Sequence, residues 1–139
     1  MKRISLTPDL SSITELEQSL EEFAGAHDLD LGLQNRLNLM LEELITNSVN
    51  YSLSSVSGPE LELCLSLEDT FVVAQLEDNG PAFDPFTEAP EADTTSALAD
   101  RPIGGLGIFL TKKFSDECTY ERIGERNRVT LRCKIGKAP

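Results

Sequence analysis

The sequence predicts an α+β fold: a two-layer α/β sandwich whose mixed, mainly antiparallel sheet carries helices on one face. Three observations predict it. Two early segments repeat apolar residues at helical spacing, two later pairs of segments alternate as strands joined by tight turns, and one glycine-rich stretch leads into a third helix between those pairs. The resulting order is β-α-α-β-β-lid-α-β-β, in which tight turns favour antiparallel neighbours.

Residues 2–6 read as a short strand. Thr7-Pro8-Asp9 opens a helix with proline in a starting position, and Leu10, Ile13, Leu16, Leu20 and Phe23 follow at helical spacing until Gly25. A second helix spans about residues 30–52, with Leu33, Leu37, Met40, Leu41, Leu44, Ile45 and Val49 as a broad apolar stripe. Leu61, Leu63, Leu65 and Leu67 alternate with Glu62, Cys64, Ser66 and Glu68, the period of a half-buried strand. Glu68-Asp69 turns that run into a partner over residues 71–77. Residues 84–102 carry prolines and small or acidic residues and little bulky apolar side chain, the texture of a functional lid. A helix over residues 108–114 follows Gly104 to Gly107. Strands over residues 118–123 and 128–135 close the chain as a hairpin around Gly124-Glu125-Arg126-Asn127.

The 139 residues form one domain, 1–139, long enough to bury a core without staples. The net charge of −12 argues against a protein held mainly by nucleic-acid phosphates, so no direct nucleic-acid partner is expected, and a polyanion here must be held by local devices. No apolar run nears the roughly 20 residues of a membrane span, and the N-terminus has no signal-peptide core. The expected address is the cytoplasm, with no membrane contact. Cys64, Cys118 and Cys133 are scattered singly, and Cys64 and Cys133, in strand-like apolar runs, read as buried thiols; His27 reads as a helix end, and no zinc site is expected.

Three constellations carry chemistry. Glu43 and Asn47 lie four apart on the second helix, with Asn47 inside the apolar stripe and Glu43 at its margin, where a polar pair costs stability unless it has partners. On the helix alone, a stripe-edge pair bonded to the hairpin is the better explanation. Asp78-Asn79-Gly80, continuing to Phe83-Asp84-Pro85, sets a carboxylate where a buried strand ends; Asp78 there can accept from a ligand amine while Gly80 lets the ligand lie against the backbone. Alone it is also a common turn. Gly104-Gly105-Leu106-Gly107 leads into a helix, where exposed N–H groups and the helix dipole favour an anion. It is neither a Rossmann fingerprint nor a Walker loop. Arg101 lies close to this loop amid acidic neighbours, and reaches a phosphate or merely softens local charge.

In this order the three segments resemble the GHKL ATPases, which share the Bergerat fold with gyrase, histidine kinases and MutL. Glu43-Leu44-Ile45-Thr46-Asn47 is similar to the family's N box, Asp78-Asn79-Gly80 to its G1 box and Gly105-Leu106-Gly107 to its G2 box. The glycine run with Asp116-Glu117, Tyr120-Glu121-Arg122, Asn127 and Leu131 most resembles the stand-alone anti-sigma-factor serine/threonine kinases of bacteria. The resemblance covers about residues 37–134. It implies ATP or ADP and Mg²⁺ as cofactors and an ATP lid at about 84–103. It further implies Glu43 as general base, Asn47 as a Mg²⁺ ligand, Asp78 as acceptor from the adenine amine and Gly80 against the ring. Gly104, Gly105, Leu106 and Gly107 fall on the phosphates, with Arg101 beside them. Where the family often has Gly-Thr near the last strand, this chain has Arg126-Asn127. The implied activity is that of an anti-sigma regulatory factor: a kinase for a STAS-type anti-sigma antagonist that also sequesters a sigma factor, as a homodimer. The alternative is an ATP-sensing, partner-switching module with little or no catalysis; retention of Glu43 favours the enzyme. A histidine kinase catalytic domain is disfavoured because His27 shows no phosphoacceptor setting.

Overall fold

A computed structural model describes residues 1–88 and 105–136. Five strands, β1 (Lys2–Leu6), β2 (Leu61–Glu68), β3 (Phe71–Asp78), β4 (Glu117–Ile123) and β5 (Arg126–Lys134), form one sheet in the order β1-β2-β3-β5-β4. The sheet was expected to be mixed or mainly antiparallel; all four ladders are antiparallel. Two tight hairpins enforce this at β2–β3 and β4–β5, with Asp69 at φ 53° and Gly124 at φ 58° supplying the left-handed turn residues. The second turn is shorter than the sequence reading had it. Ile123 pairs with Arg126 and Arg122 with Asn127, so Asn127 is a strand residue rather than part of the turn.

Alternate residues of the strands build the core. Leu61, Leu63, Leu65, Val72, Ala74, Leu76, Val129 and Leu131 are buried beneath helices α1 (Ser12–Ala26) and α2 (Leu31–Asn47), whose Leu16, Leu20, Leu37, Leu41 and Ile45 meet them. The other sheet face carries a ladder of ion pairs over Val73 and Cys64, with Arg126 between Glu60 and Glu77, Arg128 between Glu77 and Glu121, and Arg132 between Glu68 and Glu117.

Helix boundaries differ from expectation for local reasons. α1 starts at Ser12, not at the proline. Asp9 instead accepts from the Ser11 amide and hydroxyl, and Glu15 accepts from Thr7, so the side chains stabilise a turn and leave Leu10 49% exposed. His27 closes α1 as expected, its N–H reaching the Phe23 carbonyl and its ring 4.5 Å from that of Phe23. Asp30 caps α2 by accepting from the Leu33 amide at 2.8 Å. The helix expected to run to residue 52 keeps α geometry only to Asn47, then widens into a π turn, Ser48–Ser52, closed by Leu53 N–H to the Ser48 carbonyl at 2.7 Å.

Within the segment read as a structureless lid, Pro85–Glu88 form one helical turn, α3, with Asp84 accepting from the Phe86 amide and Lys112 donating to the Phe86 carbonyl. The rest of the expected lid, residues 89–104, lies outside the described residues, and with it Arg101 and Gly104. Helix α4 (Gly105–Phe114) begins three residues earlier than expected and packs against α2, burying Ile108 and Thr111.

Candidate functional site

The site forms where the end of β3, the π turn and the start of β5 meet. Asp78, the last residue of β3, is 5% exposed. A buried carboxylate is tolerated only if its oxygens are satisfied, and four donors do this. Oδ1 accepts from the Ser52 hydroxyl at 2.7 Å, the Gly80 amide at 2.9 Å and Asn127 Nδ2 at 2.9 Å; Oδ2 accepts from the Ser48 hydroxyl at 3.0 Å. The π turn places both hydroxyls on the same carboxylate, and the β3–β5 register sets Asn127 directly across from Asp78.

Gly80 is required here. A Cβ on it would stand 2.2 Å from Ser52 Oγ and 2.3 Å from the Ser52 carbonyl oxygen. The sequence reading gave Gly80 the task of clearing a ligand ring; in the structure the space its side chain would take is filled by Ser52. Asn79 bonds the preceding turn through Gly58 and Glu60. Beside Asp78 lies a cavity of about 10 Å3, walled by Leu76, Phe83 and Pro85 and lined on its polar side by Asn47, Ser48 and Asn127. Phe83 stacks on the half-exposed Tyr51, centroids 5.5 Å apart and planes inclined by 21°.

Glu43 and Asn47 share a face of α2, as their spacing predicted. Asn47 is 3% exposed and donates from Nδ2 to the Glu43 carbonyl at 3.1 Å, which turns its amide oxygen into an available acceptor. The Glu43 carboxyl sits under the first turn of α4: a Cβ on Gly107 would fall 2.0 Å from its Cδ. Its Oε1 is buried with no hydrogen-bond partner. Burial, reinforced by the charge of neighbouring Glu42, raises the Glu43 pKa above the ordinary glutamate range. An unpartnered, partly desolvated carboxyl is poised to take a proton or meet a cation. Gly105 opens α4, so the glycine segment does lead into a helix N-terminus; the side chain of Leu106 lies outside the described residues.

The chain matches the histidine kinase-like ATPase domain family over residues 6–133. It belongs to that family. At 27% identity over 92% of this chain and 89% of the relative, the domain is similar to serine/threonine-protein kinase BtrW of Bordetella bronchiseptica. Its fold is shared with solved histidine kinases. The histidine kinase domain of the blue-light activated kinase EL346 from Erythrobacter litoralis superposes with a TM-score of 0.58 at 14% identity, covering 91% of this chain and 60% of that one. Kinase AdeS of Acinetobacter baumannii gives 0.53 at 17% identity, over 99% and 69% of the respective chains. This ATPase domain thus spans well under the full length of the histidine kinase structure it matches, and its fold is that of the GHKL ATP-binding domains. Among the described residues, no helix is long and apolar enough to cross a membrane.

The structure brings Asp78 and Asn47 to one cavity, bonds the Gly80 amide to Asp78 behind it, and sets Glu43 against Gly107. Ser48, Ser52, Tyr51 and Arg122 were missed by sequence reasoning. The two serines carried a faint signal, being small polar residues four apart directly after the apolar stripe of α2. Arg122, which donates to the Gly80 carbonyl at 2.7 Å, carried none, because its role depends on the pairing of β4 with β5.

Proposed function

We propose that this ATP-binding domain is a serine/threonine protein kinase that phosphorylates a STAS-type anti-sigma antagonist and sequesters a sigma factor, acting as a homodimer in the cytoplasm. The observation that carries the catalytic part is the partly desolvated Glu43 carboxyl, whose Oε1 is buried without a partner among the described residues, one helical turn from Asn47 and against Gly107 in the first turn of α4. A binding module has no use for a partly desolvated carboxyl with an unpartnered oxygen, which costs stability; a phosphotransferase needs a base beside the phosphates. The kinase BtrW supports the reaction type. The resemblance to stand-alone anti-sigma kinases supplies the partners.

The residues fit ATP and Mg²⁺. Asp78 would accept from the adenine amine, and backbone N–H groups of the 104–107 segment, with Arg101, would face the phosphates. Asn47 would offer its amide oxygen to Mg²⁺. One protein oxygen is enough for an ion that takes most of its ligands from phosphate and water. When bound, the ion supplies neutralisation of phosphate charge. Glu43 takes the proton from the attacking hydroxyl.

The experiment is capture of the native partner followed by incubation with labelled ATP. Label is expected on a serine or threonine of the captured protein, and Glu43→Ala is expected to slow transfer by ~10²–10⁴ while keeping nucleotide affinity nearly intact. Wild-type transfer by Glu43→Ala would sink the base assignment and favour a partner-switching module that senses ATP without catalysis.

A further inference from the structure

Asn127 is 3% exposed, and every polar atom of its amide is engaged. Its Oδ1 accepts from the Tyr120 hydroxyl at 2.6 Å, Arg122 Nη1 at 3.2 Å and the Phe83 amide at 3.2 Å. Its Nδ2 donates to Asp78 Oδ1 at 2.9 Å, the Pro81 carbonyl at 2.8 Å and Ser52 Oγ at 3.0 Å. Turning the amide over would set its NH₂ against a guanidinium and a backbone N–H, and its oxygen against a carboxylate and a carbonyl. One orientation is therefore fixed by its surroundings. That orientation loads Asp78 unevenly: among the described residues, Oδ1 takes three donors, whereas Oδ2 takes only the Ser48 hydroxyl. Each carboxylate oxygen has two lone pairs, so Oδ2 keeps acceptor capacity beside the cavity and Oδ1 has none left. The same amide pins both Pro81 and Phe83, and Phe83 walls that cavity.

We infer that Asn127 is a positioning residue for nucleotide recognition, holding Asp78 through Oδ1 so that Oδ2 alone faces the 6-amino group of an adenine nucleotide. The inference rests on the reading of Asp78 as the base acceptor. Asn127 acts through Asp78 and through the wall at Phe83, not by touching the base. Tyr120 and Arg122 act one step further out by fixing which end of the amide faces the carboxylate.

The test is calorimetric titration of ADP and of inosine diphosphate, which carries a carbonyl where adenine carries the amine, into the wild-type chain, Asn127→Thr and Asn127→Val. The two variants have nearly the same shape and differ in one hydroxyl donor. Losing a hydrogen bond to a charged group corresponds to a factor of about ten or more, so Asn127→Val is expected to weaken ADP about tenfold and bring the ADP-to-IDP ratio close to one. Asn127→Thr is expected to keep most of the wild-type ratio at a similar melting temperature. If both variants keep the wild-type ratio, or both lose it equally, Asn127 is only a structural brace and the inference fails. A wild-type chain that binds ADP and IDP equally would instead overturn the reading of Asp78. Should neither variant fold, the double variant Tyr120→Phe/Arg122→Ala leaves Asn127 in place but frees its amide. A reduced ADP-to-IDP ratio there upholds the inference, and an unchanged one overturns it.

Discussion

At the scale of single residues, the two acidic side chains of the site contrast sharply. Asp78 is buried and met by four donors, whereas Glu43 has a buried oxygen that nothing meets. Removing charge from each should therefore have opposite effects on stability. Because the folded state raises the Glu43 pKa, the favourable contribution of its protonated form is present below the unfolded value and is lost as pH rises through the folded one. Glu43→Gln is expected to melt higher than wild type at pH 7, with the gain vanishing below the unperturbed glutamate pKa of about 4.3; thermal melts across pH check this. Phosphoryl transfer should fall on the acid side with an inflection above that same value, and a limb at an ordinary carboxylate position would remove Glu43 from the chemistry. Asp78→Asn, by contrast, sets an amide NH₂ among existing donors, so both stability and ADP affinity should drop.

At the scale of elements, the glycines show how the segments lock together. At Gly80 the nearest obstacle to a side chain includes backbone of the π turn, whereas at Gly107 the nearest atoms belong to the Glu43 side chain. Gly80→Ala is expected to cost ~1–3 kcal/mol through forced backbone shifts. Gly107→Ala should cost less stability but displace Glu43 and slow transfer. Equal melting losses in the two variants would contradict this difference. In the core, Leu41 and Leu63 are fully buried across the α2–sheet interface, and truncating either to alanine should cost ~2–5 kcal/mol by denaturant titration.

For the whole molecule, charge and ligand dominate. A net charge of −12 on 139 residues repels itself, and the exposed ion pairs on the sheet's open face offset little of that, at ~0–1 kcal/mol each. Raising ionic strength should thus raise the melting temperature; a fall would mean that the arginine–glutamate ladder outweighs the repulsion. ADP at a hundredfold excess over its Kd should stabilise the domain by about 2.7 kcal/mol, seen as a melting shift of several degrees.

The fold and part of the candidate site were legible because they rest on local patterns. Period-two alternation in residues 61–68 and the 3.6-residue stripe of α2 each commit a segment to burying one face, whatever it packs against. The spacing of Glu43 and Asn47 likewise places both on one helix face without any tertiary information. What the tertiary structure decided were relations between segments distant in sequence. Strand order and register brought Asn127 opposite Asp78 across 49 residues, and the change of helical pitch after Asn47 turned Ser48 and Ser52 onto the same carboxylate. The docking of α4 set Gly107 against Glu43, one of whose oxygens is buried without a partner among the described residues. Propensity and periodicity constrain neighbours along the chain, whereas the hydrogen-bond partners of a buried side chain are set by which surfaces meet when the whole core closes.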